Sequence, residues 1–222
     1  MVTSGGVILI LMLILTLTCS LHVQIYTSPY TPEFCNWAFA YPRAAGHDRF
    51  NSPPSGVDES ARIPEDVDIV VTHGPPKGVL DDTLAWTKMS VGCDSLLAAA
   101  RRTRPLLHVF GHIHEGYGAM RVEWDVGEGM GEGRVWRGGN DDVQPIGQGN
   151  SRRAVNWIDV RGNVGGKEKD NQQGEEELDL VIDGPGLKRG QETLFVNAAI
   201  MTMRNGPKNS PWIVDLDVPL RS

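Results

Sequence analysis

Two short apolar runs, each ending in a glycine and histidine turn and separated by one helix-forming segment, constrain this chain more than any other feature. Val67-Asp68-Ile69-Val70-Val71 is β-branched and leads into Thr72-His73-Gly74-Pro75-Pro76, while Leu106-Leu107-His108-Val109-Phe110 leads into Gly111-His112-Ile113-His114. Both runs read as buried strands. Between them, Asp94 to Arg102 (DSLLAAARR) joins strong helix formers to a candidate N-cap at Asp94, with basic residues in the last turn and Pro105 just beyond. The basic cluster of Arg101, Arg102 and Arg104 is expected to be the cationic end of this helix, where the helix dipole favours positive charge. Strand, helix, strand in that order builds a parallel sheet with covering helices, so the sequence predicts an α/β fold.

The rest of the chain is organised around this unit. Leu21 to Tyr26 (LHVQIY) alternates as a half-buried strand does, and Ser28-Pro29-Tyr30-Thr31-Pro32 breaks it. Residues 33–62 read as loop with at most short helix, with a linker signature at Asn51-Ser52-Pro53-Pro54-Ser55-Gly56. After Met120-Arg121-Val122-Glu123-Trp124 the composition shifts. Residues 125–191 hold much of the glycine and long charged or amide-rich tracts, and read as an inserted, partly disordered segment with a short strand around Trp157-Ile158-Asp159-Val160. Strand character returns at Thr193-Leu194-Phe195-Val196-Asn197 and Trp212-Ile213-Val214-Asp215-Leu216.

Bulk properties exclude some functions. With 222 residues, 40% of them hydrophobic, the chain suffices for one ordinary core. A net charge of −7 argues against a nucleic-acid surface, which needs clustered cations to neutralise phosphates. Cys19, Cys35 and Cys93 are odd in number and form no CxxC pair, so no disulfide framework or zinc knuckle is expected, and a reducing compartment suits them. Residues 1–20 stand apart: Val7 to Leu15 is an unbroken apolar run. It lacks a basic flank, and reaches the length of a membrane span only when residues 5–23 are counted, so a targeting segment, a span and a buried strand all stay open.

Three of the six histidines stand at strand ends beside glycine: His73, His112 and His114. Functional groups in open α/β sheets gather at the carboxyl ends of strands. An HxH pair in extended conformation points both imidazoles to one side, because side chains alternate along a strand. Neutral imidazoles bind Zn, Fe, Mn or Ni, so the ligand type does not choose the metal. His22, His47 and His108 are assigned no role; His108, inside an apolar strand, suits a satisfied core or partner-strand position.

Val71-Thr72-His73-Gly74-Pro75-Pro76, followed after one helix by Val109-Phe110-Gly111-His112-Ile113-His114-Glu115-Gly116-Tyr117-Gly118, closely resembles the last two motifs of the calcineurin-like metallophosphoesterases. The finer resemblance is to their small fungal and animal branch. Ser28-Pro29-Tyr30-Thr31-Pro32, Gly92-Cys93-Asp94-Ser95-Leu96-Leu97 and Phe195-Val196-Asn197-Ala198-Ala199 fit that branch too. The resemblance covers residues 21–124 and 192–217, and residues 21–124 with 192–222 are taken as the family domain. It implies a sandwich of two mixed sheets with flanking helices, and hydrolysis of a phosphate ester by a pair of divalent metals (Mn, Fe or Zn). His73 and His112 would bind the second metal and His114 the first. It also implies a cytoplasmic location, with membrane association as the alternative if residues 5–23 span. No substrate-binding or catalytic residue is identified.

The family's DxH, GDxxD and GNH motifs are absent from this sequence. In the family they precede the S-P-[WY]-x-P element, before which only 27 residues stand here. The expectation is therefore the C-terminal half of the domain, truncated and inactive alone. Two further readings stay open: a degenerate, non-catalytic binding domain, and a membrane-anchored accessory protein.

Overall fold

The computed structural model describes residues 23–33, 38–43, 48–53, 55–81, 83, 90–124, 134–136, 156–159, 180–183, 186–202, 206–207, 209 and 211–218. The apolar run at 7–15, His22, His47, Cys19, Cys35 and most of 125–191 lie outside these residues.

The described elements run in order β1 (Ile25–Ser28), β2 (Thr31–Pro32), β3 (Ala40–Tyr41), β4 (Ile69–Thr72), α1 (Asp94–Thr103), β5 (Leu107–Phe110), β6 (Gly118–Glu123), β7 (Arg134–Trp136), β8 (Asn156–Asp159), β9 (Leu180–Asp183), β10 (Glu192–Asn197) and β11 (Trp212–Asp215). Single 3-10 turns form at Glu59–Ala61 and His114–Gly116. The main sheet has six strands in the order β1-β4-β5-β10-β6-β7, and a three-stranded sheet has the order β11-β8-β9. β1, β4, β5 and β10 pair in parallel, while β6 runs antiparallel to β10 and β7 antiparallel to β6. The architecture is mixed α/β with a parallel-rich central sheet, as the strand-helix-strand pattern predicts.

β5 and β10 are buried along their whole length, with Leu107, Val109, Phe110 and Leu194-Phe195-Val196 as their apolar centres. On one face Val70 packs with Leu96 and Ala99 of α1 and with Phe50 and Ile63 of the preceding loop. Farther along the sheet, Ala100 of α1 joins Phe110, Phe195, Val122 and Trp124. The opposite face, built from Ile69, Leu107, Val109, Leu194 and Val196, is covered by Trp212, Val214 and Leu216.

Two local expectations are corrected. Helix α1 is capped by Cys93, whose Sγ accepts from the Leu96 amide at 3.2 Å, while Asp94 is the first helical residue. Cys93 takes this position because its side chain is already buried against Tyr41, whose hydroxyl lies 2.6 Å from the sulfur. The stretch at 51–56, expected as a linker, begins as a turn docked on the helix. Asn51 accepts from Arg102 Nε at 2.8 Å through Oδ1 and from Arg62 through its carbonyl. The preceding Phe50 is fully buried, and its amide donates to Ser95 Oγ at 2.7 Å. Local composition signalled flexibility there, but the anchor is an arginine 51 residues away.

Three strands, β7, β8 and β9, fall within 125–191; β8 matches the strand expected near Trp157. Among the described residues, no helix is long and apolar enough to cross a membrane.

Candidate metal-binding site

The strand register brings the histidine turns together. Ser28 pairs with Thr72, Val71 with Val109, and Asn197 with both Phe110 and Gly118. The carboxyl ends of β1, β4, β5 and β10 thus share one edge of the sheet, and His73 and Gly111–His114 leave from it. His73 is fixed through its backbone: its amide donates to the Ser28 carbonyl at 3.2 Å, and its carbonyl accepts from the Gly111 amide at 3.1 Å.

The side chains of His73 and His112 meet. His73 Nε2 stands 3.1 Å from His112 Nδ1, and the ring centroids are 4.6 Å apart. Burial lowers the pKa of His73. That of His112 falls to about 4, chiefly through burial and further through the positive potential of His73, His114 and Arg43. Both rings are therefore neutral near pH 7, and at their 3.1 Å contact one nitrogen donates to the other, the tautomers deciding which.

The second turn is not the extended HxH that alternation predicts. His112 has φ of 70°, and the Ile113 amide donates back to the Gly111 carbonyl at 2.8 Å. A bond from residue i+2 to residue i around a positive φ is a γ-turn, a strained conformation in which a non-glycine residue is uncommon. His114 then opens a 3-10 turn. The turn, rather than a period of two, delivers His112 to His73, and His114 is near enough to act on His112 through its charge.

Residues that the sequence did not single out hold this geometry. Asn197 is fully buried and donates to the carbonyls of Ile113 at 2.8 Å and Leu80 at 3.1 Å. Gly116 passes so close to Leu80 that a Cβ there would overlap the Leu80 carbonyl. Buried Asp81 gathers Gly78 N, Gly92 N and Ser90 Oγ on one carboxylate oxygen at 2.9, 2.8 and 2.6 Å, bracing the loop after the His73 turn. Asn197 lies in the FVNAA segment, so its place at a strand end was visible, but its partners depend on loop conformation.

The donor set can be tested against the metal pair that the resemblance implies. Two nitrogens each about 2.1 Å from one ion stand roughly 3.0 to 3.4 Å apart when the angle between them is between a right angle and tetrahedral. The 3.1 Å separation fits two positions on one ion. By itself it does not complete a metal pair. Two imidazoles bring no negative charge, and among the described residues no group of three or more His, Cys, Asp or Glu is placed to hold an ion. Catalytic metal centres need further ligands of this kind.

Comparison with known proteins agrees with the motifs. The chain is 49% identical over 101 residues to the Metallophosphoesterase domain-containing protein 1 of Homo sapiens, covering 44% of this chain and 27% of that protein. It is 41% identical over 98 residues to a UPF0046 protein of Caenorhabditis elegans, covering 43% of this chain and 22% of the relative. It is also 42% identical over 115 residues to a Probable rhamnogalacturonate lyase C of Emericella nidulans, covering 51% of this chain but 9% of that protein. No family model matches the chain. The named likenesses support a metallophosphoesterase family, and the chain spans about a quarter of the length of the human relative.

Proposed function

We propose that this chain carries part of a metal-dependent phosphoesterase site, in which His73 and His112 hold one divalent ion and His114 contributes to a second. The fold that goes with this reading is the two-sheet sandwich, with β11 and its partners as the smaller sheet. The observation that carries it is the 3.1 Å approach of His73 Nε2 to His112 Nδ1 from two different strand ends. Two neutral imidazoles with this separation can serve as a pair of cis ligands to one ion. A dication held by His73 and His112 would supply Lewis acidity toward a phosphate ester. The substrate class is a phosphate ester.

The chain's own residues supply imidazole and no carboxylate to the pair among the described residues. Charge balance therefore supports a second reading, a binding domain that takes a cation without turnover. One experiment separates them. The full chain is incubated with bis-(4-nitrophenyl) phosphate and Mn, Zn or Fe, beside calorimetric titration of each metal. Metal-dependent release of nitrophenol that is lost in His112→Ala supports the phosphoesterase reading. Cation binding without release leaves this chain a cation-binding domain with no turnover of its own. Neither binding nor release overturns both.

A further inference from the structure

Behind the imidazole pair lies a buried polar contact that the proposed site does not use. Thr72 Oγ1 is 2.8 Å from the Gly74 carbonyl oxygen and 2.9 Å from His108 Nε2. A hydroxyl has one proton, and a carbonyl can only accept. The Thr72 proton therefore goes to Gly74, and the same oxygen accepts from His108. This fixes the tautomer of His108: Nε2 carries the proton and Nδ1 is bare. Nδ1 has no hydrogen-bond partner among the described residues.

We infer that His108 is a positioning residue, which acts through the Thr72 hydroxyl to set the turn that carries His73. Thr72 ends β4 and His108 lies in β5, so the bond crosses between neighbouring strands. It locks the Thr72 rotamer, and the Thr72 to Gly74 bond closes a turn with His73 at its centre. Together with the Ser28 and Gly111 contacts, the His73 backbone is then held from three sides.

A core position that served packing alone would be apolar here. His108 is 1% exposed and lies between Phe110 and Phe195, with centroid separations of 5.4 and 5.6 Å. An imidazole with one bare, buried nitrogen is less stable there than a satisfied or apolar group. Burial also holds its pKa down to about 3, so the ring stays neutral and Nδ1 stays bare across the ordinary pH range.

The consequence for cation binding rests on the proposed ligand role of His73 and His112, and the test separates the two. In the full chain without added metal, ring ¹⁵N–¹H spectra report the His108 tautomer; protonation at Nδ1 overturns the inference. Zn is then titrated into the wild type, His108→Leu, His108→Gln and Thr72→Val. Gln places an amide N–H near the position of Nε2. The Leu and Val variants are expected to bind about tenfold or more weakly, the scale set by outer partners of metal-bound imidazoles, and Gln to recover most of the affinity. In the metal-free spectra, the His73 ring resonances are expected to move in the Leu and Val variants and to return in Gln. If His108→Leu does not fold, the near-isosteric Thr72→Val carries the test. If the wild type binds no Zn, the proposed ligand role fails, while the His73 resonances still judge the inference. Unmoved His73 resonances and wild-type affinity in folded Thr72→Val overturn it.

Discussion

The side-chain amide of Asn197 donates to the carbonyl of Ile113 at 2.8 Å, so the residue between His112 and His114 is tied to the end of the central strand β10. The same amide reaches Leu80 at 3.1 Å, and Oδ1 accepts from the Ala199 amide at 3.1 Å. Asn197→Leu keeps most of the volume and leaves these buried backbone groups unpaired. The expected loss is roughly 3 kcal/mol of unfolding free energy, read from urea denaturation, since each unsatisfied buried group costs about 1–3 kcal/mol. A loss below about 1 kcal/mol would mean that water or loop movement replaces the amide.

Gly116 and Gly56 form an internal comparison. A Cβ on Gly116 would overlap the Leu80 carbonyl, whereas Gly56 has φ of 88° with nothing within 4 Å of such an atom. Gly56→Ala meets only the backbone preference, about 1 kcal/mol. Gly116→Ala must displace backbone beside the site histidines and is expected to cost about 2–3 kcal/mol or more. Equal melting temperatures for the two variants would contradict the close approach.

Two ion pairs of different exposure should behave differently. Arg121 and Glu192 meet at 2.6 Å with side chains 10% and 12% exposed, and the Lys188 amide also donates to Glu192 Oε2. Removing one partner strands a nearly buried charge, so Arg121→Met is expected to lose roughly 3–5 kcal/mol. Lys77 and Asp94 meet at 2.9 Å but are 46% and 77% exposed, and Lys77→Met is expected to change stability by less than about 1 kcal/mol. Chemical denaturation of both variants at low and high salt checks the contrast.

Stability should also fall with acid in a window set by the buried histidines. The ordinary histidine value is 6.5, while His108 and His112 lie near 3 and 4 in the folded chain and His73 is lowered as well. The unfolded chain therefore binds more protons below about pH 6.5, and stability present above that value is lost as the pH falls toward the folded values. His108 alone contributes a slope of about 1.4 kcal/mol per pH unit in that window. Thermal unfolding of His108→Leu should be flatter with pH than the wild type between about pH 6 and 4. Parallel profiles would show that His108 is not neutralised by burial.

The elements legible in the sequence are those whose burial is decided by their own composition. β4, α1, β5, β10 and β11 follow apolar runs or helix formers, because a strand or helix in the middle of a layered fold needs apolar side chains on the faces it buries. Features set by distant partners were not legible. Cys93 displaces Asp94 as the cap because Tyr41 and the core bury its sulfur. Asn51 leaves its expected linker because Arg102 reaches it. The site divides the same way: His73 and His112 are marked by glycine at strand ends, while the γ-turn around His112 and the Asn197 clamp arise from contacts between loops.

In the proposed site His73 and His112 act as one pair of ligands, and zinc titration of the full chain by calorimetry tests this most directly. The expected result is a site that is lost alike in His73→Ala and in His112→Ala, with His114→Ala retaining measurable binding. Zinc affinity unchanged by His112→Ala, or no binding by the wild-type chain, would contradict it.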